Sequence, residues 1–110
     1  MPSYSKNDLV LVRYPFSDLS STKVRPATIV SASLESQDLF ILPLTSRTDS
    51  LLTGEFVLAD WRGAGLNVPT AVKRGLYTVH SSLVIKSVGR LAPADAGQVD
   101  ISLKLWLELG

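Results

Sequence analysis

The chain has 110 residues, 45% of them hydrophobic, and a net charge of +1. That is the length of one domain, apolar enough to build its own core. It holds no cysteine and a single histidine, which excludes a disulfide framework or thiolate metal site and leaves too few ligands for a His-based zinc site. The balanced charge argues against a globally basic nucleic-acid binder, so any such surface must be local.

Residues 8–13, rich in Leu and Val, read as a strand. Residues 14–24 read as a polar loop, with Pro15 and a Ser/Thr/Asp cluster. A second strand is expected over 26–33. Arg25 stands where it begins, pushed into an extended conformation by Pro26, whose own φ is fixed. Residues 39–44 are almost wholly apolar and read as a strand buried on both faces. Residues 54–58 alternate, with Phe56 and Leu58 on one face. Residues 60–67, holding Gly63 and Gly65, read as a loop. Short strands follow over 69–73 and 76–79 around a turn at Arg74-Gly75, and 83–86 fit a strand or a helical turn.

Residues 93–109 carry the one clear helix signal. Pro93 suits a first turn, and Asp95 suits the positive end of the dipole. Val99, Leu103 and Trp106 form one apolar stripe, and Ile101, Leu105 and Leu109 a neighbouring one, a width that implies contact on more than one side. The whole pattern predicts a mainly β (α+β) domain spanning 1–110, a small, strongly bent sheet or barrel of about five to seven short strands with the C-terminal helix plugging or flanking it. The N-terminus lacks the apolar core of a signal peptide, and no apolar run approaches the ~20 residues of a membrane span. A soluble, cytoplasmic protein with no membrane partner is expected.

Most enzyme classes lack their tools here. There is no Gly-x-Ser-x-Gly elbow, no Gly-rich phosphate loop and no His-rich or Glu-rich metal constellation. RNA cleavage needs fewer tools, because RNA carries its own nucleophile, the 2′-hydroxyl. The protein must align that oxygen and stabilise the charge developing on phosphorus. A permanently charged, bidentate arginine such as Arg25 suits that task, and a hydroxyl such as Thr45 can donate a second hydrogen bond. Each has an ordinary alternative: Arg25 as a strand-end ion pair, Thr45 as a turn hydroxyl bonded to its own backbone.

Read in order, residues 8–19, 23–30, 42–46, 65–73, 78–79 and 88–91 followed by a terminal helix resemble the PemK/MazF toxins of type II toxin–antitoxin systems, over almost the whole chain. The resemblance implies an SH3-like, CcdB-like barrel, a homodimer, and a sequence-selective endoribonuclease acting on single-stranded RNA. It further implies 2′,3′-cyclic phosphate and 5′-hydroxyl ends, no metal or other cofactor, and inhibition by a cognate antitoxin. The family's catalytic arginine at Arg-Pro falls on Arg25, and its catalytic Thr or Ser on Thr45. Where some members carry an arginine and an acid after the fifth strand this chain has Lys73 and Gly75, and where an acid usually follows Thr-Val it has His80.

Tyr14, Lys23, Ser46, Arg47, Lys73 and Arg74 are the candidate RNA contacts. Tyr14 would stack on a base, Phe16 would anchor its loop, and the cations would meet phosphates on one barrel rim. His80 reads first as a turn residue, and the two tryptophans as packing or dimer residues. Two other readings stand beside the ribonuclease. One is a CcdB-like toxin that binds gyrase through the C-terminal helix, favoured by an exposed Trp106. The other is a barrel that binds nucleic acid or peptide without cleaving it.

Overall fold

The computed structural model describes residues 4–14, 23–32 and 35–109, Tyr14 by its backbone alone. The 15–22 loop, with Pro15 and the expected anchor Phe16, lies outside the described residues, as does the Tyr14 side chain.

Seven strands appear among the described residues: β1 (Asp8–Tyr14), β2 (Lys23–Ala32), β3 (Asp38–Thr45), β4 (Phe56–Val57), β5 (Ala71–Val72), β6 (Tyr77–His80) and β7 (Val84–Arg90). A helix, α1 (Pro93–Leu107), follows. All pairings are antiparallel, in the order β4-β5-β3-β2-β1-β7, with β6 also paired to β3. The expected mainly β fold with a terminal helix is the observed one.

Connectivity forces the sheet to curl. β6 lies on β3 and β7 on β1, so a flat sheet would separate them by four strand spacings, roughly 19 Å. Yet a single 3-10 turn, Ser81–Leu83, joins them, and three residues of such a helix rise only about 6 Å. The sheet therefore rolls until its edges nearly meet. Val10, Val12, Ala27, Ile29, Leu39, Ile41 and Val79 fill the inside of the roll. Leu9, Leu42 and Leu44 point the other way, beneath Leu58, Ala64, Val72, Leu91 and Val99. Burial on both faces is why the apolar runs of β1 and β3 barely alternate. Phe40 departs from that expectation, being 46% exposed on β3.

The covering layer is pinned by polar groups. Buried Asp95, in the first turn of α1, accepts from the Ala59 and Asp60 amides at 2.8 and 3.0 Å. Ser102 Oγ donates to the Gly54 carbonyl at 2.7 Å, and Trp106 Nε1 to the Thr53 carbonyl at 2.9 Å. The 61–66 loop presses on β7 through two glycines. Gly65 has φ +97°, and a Cβ there would strike the Val88 carbonyl oxygen; a Cβ on Gly89 would strike the Ala64 carbonyl oxygen. Of the second expected stripe, Ile101 and Leu105 lie on α1 and stay exposed; Leu109, also exposed, falls past the helix, which ends at Leu107 rather than 109 because Glu108 turns into the left-handed region at φ 55°.

Several bounds differ from expectation. β2 begins at Lys23, because its ladder to β1 continues through Val12–Arg25 to Tyr14–Lys23. The ladder to β3 stops at Ala27–Pro43, one residue short of Pro26, whose missing N–H is tolerated where pairing ends. β4 and β5 shrink to two residues each, since they pair only with each other and with the end of β3. Residues 81–83 take the 3-10 turn with His80 as its N-cap, and 84–90 form a full strand on β1.

Candidate active site

Arg25 and Thr45 are twenty residues apart in sequence. Ala27 faces Pro43 in the β2–β3 register, and two residues further along each strand bring Arg25 level with Thr45. Both line one open cavity of about 430 Å³, together with Ser46, Arg47 and residues of the 66–70 segment. Among the described residues, the cavity walls hold two guanidinium groups, Arg25 and Arg47, and no carboxylate. That composition favours an anion.

Arg25 is held at its backbone and free at its tip. Its main chain is locked against Val12 of β1, while the guanidinium makes one bond among the described residues, Nη1 donating to the Val24 carbonyl at 3.3 Å. No ion pair engages it there. An exposed guanidinium held this way keeps its remaining donors for a planar, doubly bonding acceptor such as a phosphate.

Thr45 takes the turn role expected of it. Its Oγ1 accepts from the Arg47 amide at 3.1 Å, which shapes the turn after β3. Accepting leaves the hydroxyl hydrogen unused, and a hydroxyl can donate while it accepts. The same bond holds Arg47 at the cavity wall.

The other sequence candidates separate. Ser46 and Arg47 line the cavity; Lys23, Lys73 and Arg74 do not. Lys23 opens β2, exposed and paired with Tyr14. Lys73 and Arg74 follow β5, where Glu55 engages both. The Glu55 side chain, 1% exposed, lies 3.5 Å from Lys73 Nζ. Its oxygens also accept from the Leu52 and Arg74 amides at 2.8 and 2.9 Å. Burial pushes the Glu55 carboxyl pKa up. The two amide bonds and the Lys73 ammonium outweigh that and hold it below the ordinary glutamate value.

Sequence reasoning missed Glu55, although an acid between Gly54 and Phe56 in an alternating strand is a recognisable signal of a paired buried charge. It also gave the 66–70 segment no part in the site. His80 is spent on its turn, with Nδ1 2.8 Å from Ser82 Oγ and accepting from the Ser82 amide. Arg62 lies over the Trp61 ring at 4.9 Å, and Trp61 packs on the core.

No family model matches this sequence, and no curated protein matches it. Solved structures do. The MazE–MazF crystal structure (Form-II) from Deinococcus radiodurans superposes with a TM-score of 0.79 at 18% identity, covering 100% of both chains. An endoribonuclease in complex with its cognate antitoxin from Mycobacterial species gives 0.77 at 17% identity, covering 98% of each chain. Toxin MazF-mt6 of Mycobacterium tuberculosis gives 0.75 at 16% identity, covering 94% of this chain and 98% of that one. Identities this low establish a shared fold; the chemistry rests on the residues.

Proposed function

We propose that this chain is a toxin of the PemK/MazF kind, a single cytoplasmic domain that cleaves single-stranded RNA. The observation that carries the reading is the meeting of Arg25 and Thr45 in one cavity whose described lining holds no carboxylate, the guanidinium tied only to the Val24 carbonyl among the described residues. The substrate's 2′-oxygen gives up its proton to solvent and attacks phosphorus, forming a 2′-O–P bond as the P–O5′ bond breaks and O5′ takes a proton from water. The products are a 2′,3′-cyclic phosphate and a 5′-hydroxyl. Arg25 neutralises the charge that accumulates on the non-bridging oxygens, and the Thr45 hydroxyl donates to a non-bridging or leaving oxygen. Arg47 and Ser46 hold a flanking phosphate. Tyr14, Lys23, Lys73 and Arg74 serve as outlying contacts along the strand.

Partners follow from the same reading. The exposed Ile101 and Leu105 of α1, with Leu109 just past its end, would be covered in a homodimer, and an acidic, partly disordered antitoxin segment would complement the cationic cavity. The gyrase-binding alternative loses its main support, because Trp106 is half-buried and bonded to Thr53. Among the described residues no helix is long and apolar enough to cross a membrane.

The experiment is cleavage of a long RNA in EDTA by wild type and Arg25→Ala, with the ends mapped chemically. Cyclic phosphate ends from wild type and none from the variant are expected. Equal cleavage by the two proteins removes the mechanism.

A further inference from the structure

The 66–70 segment faces the same cavity as Arg25 and Thr45, and its conformation is fixed without help from Asn67. Thr70 Oγ1 donates to the Val68 carbonyl at 2.9 Å. The Leu66 amide donates to the Trp61 carbonyl at 3.0 Å, and the Leu58 amide to the Thr70 carbonyl at 2.8 Å. An asparagine in a bend commonly bonds its own backbone or adopts a positive φ. Asn67 does neither: its φ is not positive, and its exposed carboxamide has no hydrogen-bond partner among the described residues. A rigid loop thus presents an unspent donor–acceptor pair to the cavity, beside the half-exposed Val68 side chain.

We propose that Asn67 is the specificity-determining residue of this cavity, reading the nucleobase next to the phosphate held by Arg25 and Thr45. The inference rests on the RNA reading above. Phosphate contacts position a strand without identifying it, whereas base edges carry the sequence. A carboxamide offers one acceptor and two donors at fixed spacing. It pairs in two-bonded fashion with a base that shows an amino group beside a ring-nitrogen acceptor, which adenine and cytosine do. Val68 supplies apolar surface for the face of that base.

The test needs no cleavage. A randomised pool of 2′-fluoro RNA decamers, which carry no nucleophilic 2′-oxygen, is bound to wild type, Asn67→Ala and Asn67→Asp, and the retained strands are sequenced. Wild type should enrich adenine or cytosine at one position. Asn67→Ala should lose at least about tenfold of that enrichment. Asn67→Asp, whose carboxylate only accepts, should turn toward guanine, which presents two adjacent donors, N1–H and the N2 amino group. The unfolding curves of both variants should overlay that of wild type, since the residue is exposed. Enrichment that is absent in wild type, or unchanged in either variant, overturns the inference. Cleavage of ordinary RNA by wild type and Arg25→Ala judges the ribonuclease reading separately. Asn67-dependent selection without cleavage leaves a base reader and removes the enzyme. Cleavage with Asn67-independent selection does the reverse.

Discussion

Arg25 and Lys73 flank β3 from opposite sides, Arg25 on β2 and Lys73 just past β5. From sequence they look alike, each a cation at a strand end. The fold spends them differently. Lys73 is paired with a carboxylate buried in the protein, which also gathers two main-chain amides. Arg25 has its backbone fixed and its charge met by no acid among the described residues. A cation answered by a buried acid holds structure together, and one left unanswered above a cavity is available to a ligand.

Substitution can break that contrast, and the largest effect is expected at the unanswered charge. Arg25→Ala should lower RNA cleavage by about 10³-fold or more, while the urea midpoint stays within error, because an exposed side chain with only one long hydrogen bond among the described residues contributes within about 0.5 kcal/mol. A large shift of the midpoint would mean that Arg25 is structural after all. Thr45→Val removes one donor to the reacting phosphate and should cost about 10²-fold in kcat, read in single-turnover assays at saturating enzyme.

The committed corner should respond in the opposite sense. Glu55→Ala strands two amides and an ammonium, so stability should fall by about 2–3 kcal/mol with cleavage per folded molecule retained; urea titration beside an activity assay separates the two. The carboxyl is held below its ordinary value of 4.5, so the unfolded chain takes up the proton first as pH falls. The stability Glu55 contributes is complete above about 4.5 and drains away as pH drops through the lower folded value. Glu55→Gln should flatten that stretch of the stability–pH curve. The smallest effects belong to the cations that do not meet the reacting phosphate. Arg47→Ala should weaken RNA binding uniformly across sequences and reduce the salt slope by about 0.7, measured by fluorescence anisotropy. Lys73→Ala should change that slope less.

Much of the fold was legible because strand periodicity and turn chemistry are local. The apolar runs over 8–13 and 39–44 and the Pro93 helix start were all readable as patterns. Bounds failed where pairing decided them: β2 reaches back to Lys23 only because β1 is there to receive it. Of the residues lining the cavity, Arg25 and Thr45 stood out in the sequence through Arg-Pro and the resemblance. Glu55 and Asn67 were not, since one is defined by what it is buried against and the other by what it lacks.

By itself the sequence determined the strand-rich class, the terminal helix and the chemical kinds of side chain on hand, because these depend on composition and short-range periodicity. Only the tertiary structure decided which cation is neutralised and which is left over, because a charge's partners are set by contacts between residues tens of positions apart. The roll of the sheet, forced by one short turn between β6 and β7, helps set those contacts.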